Sequence, residues 1–268
     1  MIKDITFGQY LPTKSFVHSL DARFKIVLTL LSIVFIFICS NFYSLLLVSL
    51  YILMCILISK VKIKHYLKSL KPIIPIIIFT AILNMIYTSG GTEYFRFWIF
   101  TITSEGIKRS VFMSVRVVLL ILSSSVMTYS TTPNDLSDAL ESIFSPLKYI
   151  GLGSAVHTIS MMMTIALRFI PTLLEETDKI MSAQKARGAD FESGSLISRL
   201  KALIPILIPL LISSLRRATE LAEAMECRCY NGGEGRQRMK AFKSSWKDYV
   251  FTLCTVCVCV GIILLNLL

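Results

Sequence analysis

The sequence has few charged residues. They make up 17% of its 268 positions, whereas 54% are hydrophobic and the mean hydropathy is +0.68. A soluble domain carries about 25% charged residues, so this composition argues against an ordinary cytosolic enzyme. The high apolar content also excludes a disordered chain. The composition therefore predicts a protein that lies largely within a membrane.

Histidine is scarce as well. The three histidines, His18, His65 and His157, are far apart in sequence, so there is no His-Glu-x-x-His pair to bind zinc. The sequence also lacks a glycine-rich loop followed by Lys-Ser or Lys-Thr that would hold ATP phosphates. We expect no catalytic residue, no metal site and no cofactor in this chain. Any nucleotide hydrolysis must then be performed by another protein.

Five apolar stretches are candidates for membrane crossing, because a span needs about 20 mostly apolar residues. They are Ile26–Ser40, Phe42–Ile58, Ile73–Tyr87, Val111–Tyr129 and Tyr249–Leu268. The predicted fold class is an all-α integral membrane protein with about five transmembrane helices. Residues 1–129 would form a domain of four spans, residues 130–247 a cytoplasmic domain, and residues 248–268 a C-terminal transmembrane helix.

The distribution of basic residues predicts the orientation, since lysine and arginine on short loops are retained on the cytoplasmic side. The flanks of the first two spans carry nine basic and two acidic residues up to Lys71. Thr88–Arg109 is nearly balanced, with three basic and two acidic residues. The N-terminus and residues 130–247 should therefore face the cytoplasm of a multi-pass protein of the cell membrane.

Residues 130–247 predict one short helix and two long amphipathic helices. Thr132, Pro133 and Asp135 are typical of the N-cap, N1 and N3 positions of the short helix. The long helices should run from Ser154 to Arg187, where Gly188 stops the first, and from Ser195 to Tyr230, where Asn231-Gly232-Gly233 stops the second. Each would be roughly 50 Å long.

The two long helices have the same unusual layout. Their first halves are apolar (Ile159–Ile170 and Leu203–Leu215), and their second halves are charged and rich in small residues. The apolar halves are about a dozen residues long, which is short for a span. We expect both helices to lie at or partly within the inner leaflet. Small residues spaced four apart predict that the two helices cross closely.

Each long helix ends in an arginine between small residues, in Ala186-Arg187-Gly188 and Cys227-Arg228-Cys229. Small neighbours leave a guanidinium free to enter a groove and to bind carboxylates or carbonyls there. The alternative is a cation that complements the helix C-terminal dipole. The occurrence of two such arginines on helices of matching design favours docking. Cys227 and Cys229 alone would under-coordinate a zinc ion.

Arg116 lies within the fourth predicted span, where a charged side chain is expected to be functional. No acidic residue in another span is available to pair with it. It either faces a polar crevice or the backbone carbonyls of a neighbouring helix, or it contacts a partner subunit in the membrane.

Motifs along nearly the whole chain carry a family resemblance. They are Leu20-Asp21-Ala22-Arg23-Phe24-Lys25, Thr131-Thr132-Pro133, Leu167-Arg168-Phe169-Ile170-Pro171, Ala183-Gln184-Lys185-Ala186-Arg187-Gly188 and Ala224-Met225-Glu226-Cys227-Arg228-Cys229-Tyr230. The chain resembles the transmembrane T component of energy-coupling factor (ECF) transporters, which are ABC importers of vitamins and metal ions. The last two motifs are the most specific, although the family more often has alanine than cysteine at position 227.

The resemblance implies partners rather than a reaction. A T component joins two cytoplasmic ATPase subunits to a separate substrate-binding membrane subunit, the S component. Arg187 and Arg228 would each dock on one ATPase. The apolar halves of the long helices would carry the S component, with Arg116, Arg168 and Pro171 as candidate contacts. The expected function is energy coupling for vitamin uptake, in a module shared among S components.

Other functions stay open. The nearest alternative is a T component dedicated to a cobalt or nickel importer. A stand-alone secondary carrier would show internal repeats and polar broken helices at the bilayer midplane, and a membrane enzyme would need clustered ionisable groups. Neither feature is present in the sequence. Nucleic acid is not expected as a partner, because residues 130–247 carry 15 basic but also 12 acidic residues.

Overall fold

The computed structural model describes residues 10–88, 90, 93–97, 100–146, 153–189, 196–231 and 244–267. Within these ranges the chain forms nine α-helices and one two-stranded sheet. The elements are α1 Ala22–Ile38, α2 Phe42–Ser59, α3 Ile63–Leu70, α4 Ile74–Tyr87, β1 Glu93–Phe97, β2 Phe100–Thr103, α5 Ser104–Ser130, α6 Pro133–Phe144, α7 Gly153–Ala186, α8 Leu196–Glu226 and α9 Trp246–Leu267. The architecture confirms the predicted all-α membrane class.

Six helical segments of the described chain are long and apolar enough to cross a membrane. They are α2, the continuous segment Ile63–Tyr87, α5, α7, α8 and α9. The third span therefore begins at Ile63, about ten residues before its predicted start at Ile73. The reason is that α3, a 3-10 turn at Lys71–Ile73 and α4 follow one another without a loop. Helix α1 is also apolar, but it has only 17 residues. The cytoplasmic placement of α7 and α8 stays a prediction, because by length and composition both helices also qualify as spans.

The short hairpin of β1 and β2 is the one element type that the sequence analysis did not predict. The strands pair antiparallel, with Arg96 opposite Thr101 and Phe97 opposite Phe100. They lie in the loop predicted to be extracellular, between α4 and α5. Five- and four-residue strands are too short to give a clear period-2 signal in a sequence this rich in aliphatic residues.

The described residues form two compact units. One contains Gly8–Ala139 and Ala241–Leu268, and we call it the core unit; the other contains Leu140–Lys240, and we call it the long-helix unit. In the core unit α1, α2, α5 and α9 surround an apolar cluster that includes Ile36, Val48, Ile52, Leu119 and Ile262.

Hydroxyl groups join the helices of the core unit. The side chains of Tyr51 on α2 and Thr255 on α9 are hydrogen-bonded at 2.8 Å, and those of Ser69 on α3 and Ser125 on α5 at 3.2 Å. Because buried hydroxyls have no water to bond, these contacts fix which helix faces which.

Polar groups meet where α1 and α9 begin and α5 ends. The Asp21 amide donates to the carboxylate of Asp248, which is 1% exposed, at 2.9 Å. The Lys25 ammonium, also buried, donates to the Ser130 carbonyl at 2.9 Å. The two bonds tie the start of α1 to both neighbouring helices, so this end of the core unit is held by specific polar contacts as well as by packing.

Helices α4 and α5 approach closely at Gly106, in the first turn of α5. A Cβ atom at this position would lie 2.9 Å from the Met85 carbonyl oxygen. The Thr103 hydroxyl accepts a hydrogen bond from the Gly106 amide at 3.1 Å and so caps the helix. Glycine therefore permits a backbone contact that any larger residue would push apart.

Candidate partner-docking site

The long-helix unit is built around a contact between α7 and α8. Glu176 of α7 forms an ion pair with Arg217 of α8 at 3.1 Å and accepts a hydrogen bond from the Ser213 hydroxyl. Ser213 and Arg217 are one helical turn apart, so both face the same carboxylate. This confirms that the two long helices contact each other, and it identifies the polar group that fixes the contact.

Helix α7 ends in a Schellman motif. The Gly188 amide donates to the Lys185 carbonyl and the Ala189 amide to the Gln184 carbonyl, both at 3.0 Å. Gly188 has a φ of +88°, and no atom lies within 4 Å of the place where a Cβ would stand. These bonds satisfy the last carbonyls of the helix and place Arg187 at the C-cap. The predicted stop at Gly188 is confirmed.

Helix α8 ends in the same way. The Cys229 amide donates to the Glu226 carbonyl at 2.9 Å, and the Tyr230 amide donates to the Met225 carbonyl at 3.1 Å. Arg228 is therefore the C-cap residue here, as Arg187 is on α7. The predicted stop at Asn231-Gly232-Gly233 is wrong, because the left-handed residue is Cys229, with a φ of +53°. A non-glycine residue in this conformation is uncommon and gives little signal in the sequence.

The two arginines therefore occupy equivalent positions. Arg187 is eleven positions after Glu176 on α7, and Arg228 is eleven positions after Arg217 on α8. At 1.5 Å per residue, each guanidinium is carried about 16 Å beyond the ion pair. Both arginines are exposed, as are the small residues next to them, Ala186, Gly188, Cys227 and Cys229. Among the described residues neither arginine forms an ion pair.

Exposed cations at helix C-termini also complement the helix dipoles, so their position alone does not require a partner. What distinguishes this pair is repetition. The same cap geometry, an arginine between two small residues, and the same distance from the helix contact occur twice. Two matched, rigidly capped arginines are suited to dock on two copies, or two homologues, of one partner.

An apolar surface lies on the first half of α8. Its aliphatic side chains are each between 42% and 62% exposed: Leu203, Ile204, Leu207, Ile208, Leu211, Ile212 and Leu215. On α7, Ile159 and Met162 are exposed to a similar extent. Pro205 and Pro209 lie within this half of α8. Because proline has no amide hydrogen, neither residue can donate a helical hydrogen bond. An exposed apolar surface of this size is typical of contact with lipid or with another protein.

The remaining predicted site residues are separate from the arginine motifs. Arg116 donates a hydrogen bond to the carbonyl of Cys39, the C-cap of α1, and its guanidinium lies 4.8 Å from the centre of the Phe112 ring. The bond to Cys39 agrees with the interpretation in which Arg116 faces the backbone carbonyls of a neighbouring helix. Arg168 and Pro171 are exposed on α7.

Two groups of residues in the structure were missed by the sequence analysis. Glu176, Ser213 and Arg217 were not singled out, although a serine and an arginine four apart on one helix face were available as a signal. The second group is the set of lysines Lys14, Lys60 and Lys247, which come from three distant parts of the sequence. Only the fold brings these lysines together.

Comparison with known proteins identifies the family. The model of the CbiQ family, described as cobalt transport protein, matches residues 13–240. The energy-coupling factor transporter transmembrane protein EcfT of Clostridium kluyveri is 50% identical over 98% of this chain and 97% of its own length. EcfT of Ruminiclostridium cellulolyticum is 49% identical (99% and 98%), and EcfT 1 of Listeria monocytogenes is 41% identical (99% and 99%). These matches confirm the resemblance seen in the motifs: the chain belongs to the CbiQ family, together with the transmembrane EcfT proteins of energy-coupling factor transporters.

Proposed function

We propose that this protein is the energy-coupling subunit of an ECF-type importer. It joins two cytoplasmic ATPase subunits to a separate S component in the membrane and has no enzymatic activity of its own. The observation that carries this proposal is the pair of equivalent C-cap arginines, one at the end of each long helix. Family membership supports it, because the relatives are named as transmembrane proteins of such transporters.

Each arginine motif would dock on one ATPase. The guanidinium of Arg187 or Arg228 would enter a groove, where it donates to carboxylates or carbonyls. The flanking alanine, glycine and cysteine side chains are small enough to let the helix end approach the partner. Because the Schellman motifs fix the backbone on both sides, little conformational entropy would be lost on binding.

The S component would bind the exposed apolar half of α8 together with the neighbouring part of α7. This surface has no charged side chain between Leu203 and Leu215, and so it suits a hydrophobic membrane partner. Arg168 and Pro171, which are exposed on α7, are candidates for its edge. Arg116 is a further candidate, although its guanidinium already contacts the end of α1.

The proposed mechanism uses the contact between the two long helices as a pivot. ATP-driven closure of the two ATPases would bring the arginines closer together and so change the angle between α7 and α8 at the Glu176–Arg217 pair. With arms of about 16 Å, a rotation of 10° moves each arginine by about 3 Å. The apolar halves on the other side of the contact would rotate too, and the S component would tilt and release its substrate.

The orientation that this mechanism needs places the N-terminus and the long helices at the cytoplasmic face of the cell membrane. The substrates would be vitamins, delivered by S components that share this subunit. A dedicated cobalt or nickel importer is the second candidate, favoured by the description of the matching family model.

Charge reversal tests the docking role. The Arg187→Glu, Arg228→Glu double variant should fail to co-purify with the ATPases while it keeps the S component. Lys179→Glu, Arg216→Glu is the matched control, because it reverses two exposed charges on the same two helices. Normal co-purification of the ATPases with the Arg187→Glu, Arg228→Glu variant would refute the proposal.

A further inference from the structure

A basic cleft opens at one end of the core unit and has no role in the proposed function. It has a volume of about 540 Å³, and its lining includes the lysines Lys14, Lys60 and Lys247. The three lysines come from the segment before α1, the C-cap of α2 and the first turn of α9. They are 46 and 187 residues apart in sequence.

Hydrogen bonds hold the three segments together. The Thr13 hydroxyl donates to the Ser59 carbonyl at 3.3 Å, which places the segment before α1 against the end of α2. The start of α9 is held to the start of α1 by the bond from the Asp21 amide to Asp248. Lys60 itself closes α2 in a left-handed conformation, with a φ of +55°. The convergence of the lysines is therefore built into the fold.

The positive charge of the cleft is not neutralised by the part of the chain that the structure describes. All three lysines are exposed, and none is in an ion pair among the described residues. Asp248 is the acid next to Lys247 in sequence, but it is buried and accepts bonds from the backbone amides of Asp21 and Ser245. The cleft thus presents three ammonium groups.

Hydroxyl groups complete the lining. Thr13, Ser15 and Ser19 also line the cleft, but their hydroxyl groups already donate within the chain, to the Ser59 carbonyl, to His18 and to the Phe16 carbonyl. His18, between them, is bonded to the Ser15 hydroxyl at 2.7 Å and to the Leu11 carbonyl at 3.0 Å. Burial lowers the pKa of His18 below its ordinary value, so the ring is neutral at pH 7 and the net charge comes from the lysines. The ammonium groups of the three lysines match the negatively charged oxygen atoms of a phosphate.

Residues near the cleft in sequence have the exposure and chemistry of a membrane–water interface. Leu57, three residues before Lys60 on α2, and Leu253, six residues after Lys247 on α9, are 64% and 66% exposed, as expected of lipid-facing positions. Trp246 and Tyr249, at the start of α9, are 80% and 58% exposed, and these aromatic side chains favour the membrane–water interface. An anion bound by the lysines would then lie near the edge of the hydrocarbon layer.

We propose that this cleft binds the phosphate headgroup of an anionic phospholipid, with the acyl chains lying along the exposed leucines of α2 and α9. A free phosphate ion offers the same oxygen atoms, but it would leave those apolar side chains without a contact. The lipid would bridge the segment before α1, the end of α2 and the start of α9.

The experiment compares two triple variants of the full chain in nanodiscs. One is Lys14→Gln, Lys60→Gln, Lys247→Gln. The matched control is Lys62→Gln, Lys64→Gln, Lys68→Gln, which removes three exposed charges from α3 and its N-cap. The discs contain phosphatidylcholine with or without phosphatidylglycerol. After transfer of the protein to detergent, native mass spectrometry counts the phosphatidylglycerol molecules that stay bound.

The wild type and the control should retain one phosphatidylglycerol molecule and no phosphatidylcholine. An interfacial lysine changes affinity for an anionic membrane about fivefold, so the cleft variant should bind roughly 100-fold more weakly. If that variant does not fold, as judged by size-exclusion chromatography, the three single variants each serve with an expected loss of about fivefold.

Equal retention by the cleft and control variants would overturn the proposal, and so would equal binding of phosphatidylcholine. A third measurement separates lipid from free anion: inorganic phosphate should not raise the thermal stability of the detergent-solubilised protein, whereas short-chain phosphatidylglycerol should. Equal stabilisation by the two would show an anion site without a lipid role and would contradict the assignment.

Discussion

The ion pair between Glu176 and Arg217 should control how α7 and α8 act on each other. Glu176→Arg puts two positive charges at the contact, and Arg217→Glu puts two negative charges there. The combined swap, Glu176→Arg with Arg217→Glu, restores opposite charges in reversed order. The single variants should therefore both be defective, and the swap should recover part of the lost function.

The size of the effect follows from the geometry. The two groups are 3.1 Å apart, and their side chains are 23% exposed for Glu176 and 38% exposed for Arg217. A hydrogen bond to a charged group contributes about 1.5–3 kcal/mol when buried, whereas a surface pair contributes about 0–1 kcal/mol. Partial exposure places this pair between the two, at about 1.5 kcal/mol, or roughly a factor of ten in equilibrium.

Two measurements check this. Thermal unfolding of the purified protein gives the coupling energy from the four-member mutant cycle. Vitamin uptake per ATP hydrolysed, in proteoliposomes that contain the whole transporter, gives the coupling between ATPases and transport. We expect each single variant to hydrolyse ATP with reduced uptake, and the swap to recover at least half of the uptake.

Arg216→Glu is the control for this prediction. Arg216 is 82% exposed, and within the part of the chain that the structure describes its ion pair is with Glu220 of its own helix, so its loss should change stability by no more than about 0.5 kcal/mol. The ion pair does not link the two helices if the swap variant loses as much stability and uptake as the two single variants together. The same conclusion follows if Arg216→Glu lowers uptake as much as either single variant.

Three further predictions concern single backbone or buried positions. Gly188→Ala should destabilise the end of α7 by about 1 kcal/mol, and Cys229→Gly should stabilise the end of α8 by a similar amount, because alanine and cysteine are strained in the left-handed conformation; thermal unfolding of the two variants should shift in opposite directions. Asp248→Ala should cost about 2–4 kcal/mol, since it leaves two backbone amides without an acceptor, and should be seen as loss of monodisperse protein in size-exclusion chromatography, with the exposed neighbour Lys247→Ala as control. Gly106→Val should cost about 1–3 kcal/mol by forcing α4 and α5 apart, and a lower unfolding temperature than that of wild type is the expected readout.

Much of the fold could be predicted because long apolar runs and helix caps are local signals. The cap at Thr132 is present as predicted, with the Asp135 amide donating to the Thr132 hydroxyl at 3.1 Å. The starts of both long helices and the end of α7 were predicted nearly correctly, but α8 ends about four residues before its predicted end at Tyr230. Their membrane placement was less accessible, because α7 and α8 contain windows as apolar as a span, and their placement depends on partners and lipid that no residue pattern specifies.

The candidate site was predictable to the extent that it is local. Arg187 and Arg228 stand out because each lies between small residues near a helix end, and the end of α7 at Gly188 was within reach of pattern analysis. The equivalence of their cap geometry could not be predicted, because nothing in the sequence indicates that Cys229 adopts a left-handed conformation. The lysines of the basic cleft could not be found from sequence at all, because residues 14, 60 and 247 meet only after four helices have packed.

The central claim, that the arginine motifs dock on ATPase subunits, can be tested with two thiols already present in the chain. Cys227 and Cys229 flank Arg228, and both are exposed and free. Labelling with a charged, water-soluble maleimide, quantified by peptide mass spectrometry, reports whether this helix end is covered. Arg216→Cys supplies an exposed control thiol on the same helix, and Ala186→Cys supplies the equivalent reporter beside Arg187. The account predicts that adding the ATPases protects positions 186, 227 and 229 while position 216 stays reactive. Unchanged labelling of Cys227 and Cys229 in the assembled transporter would contradict it.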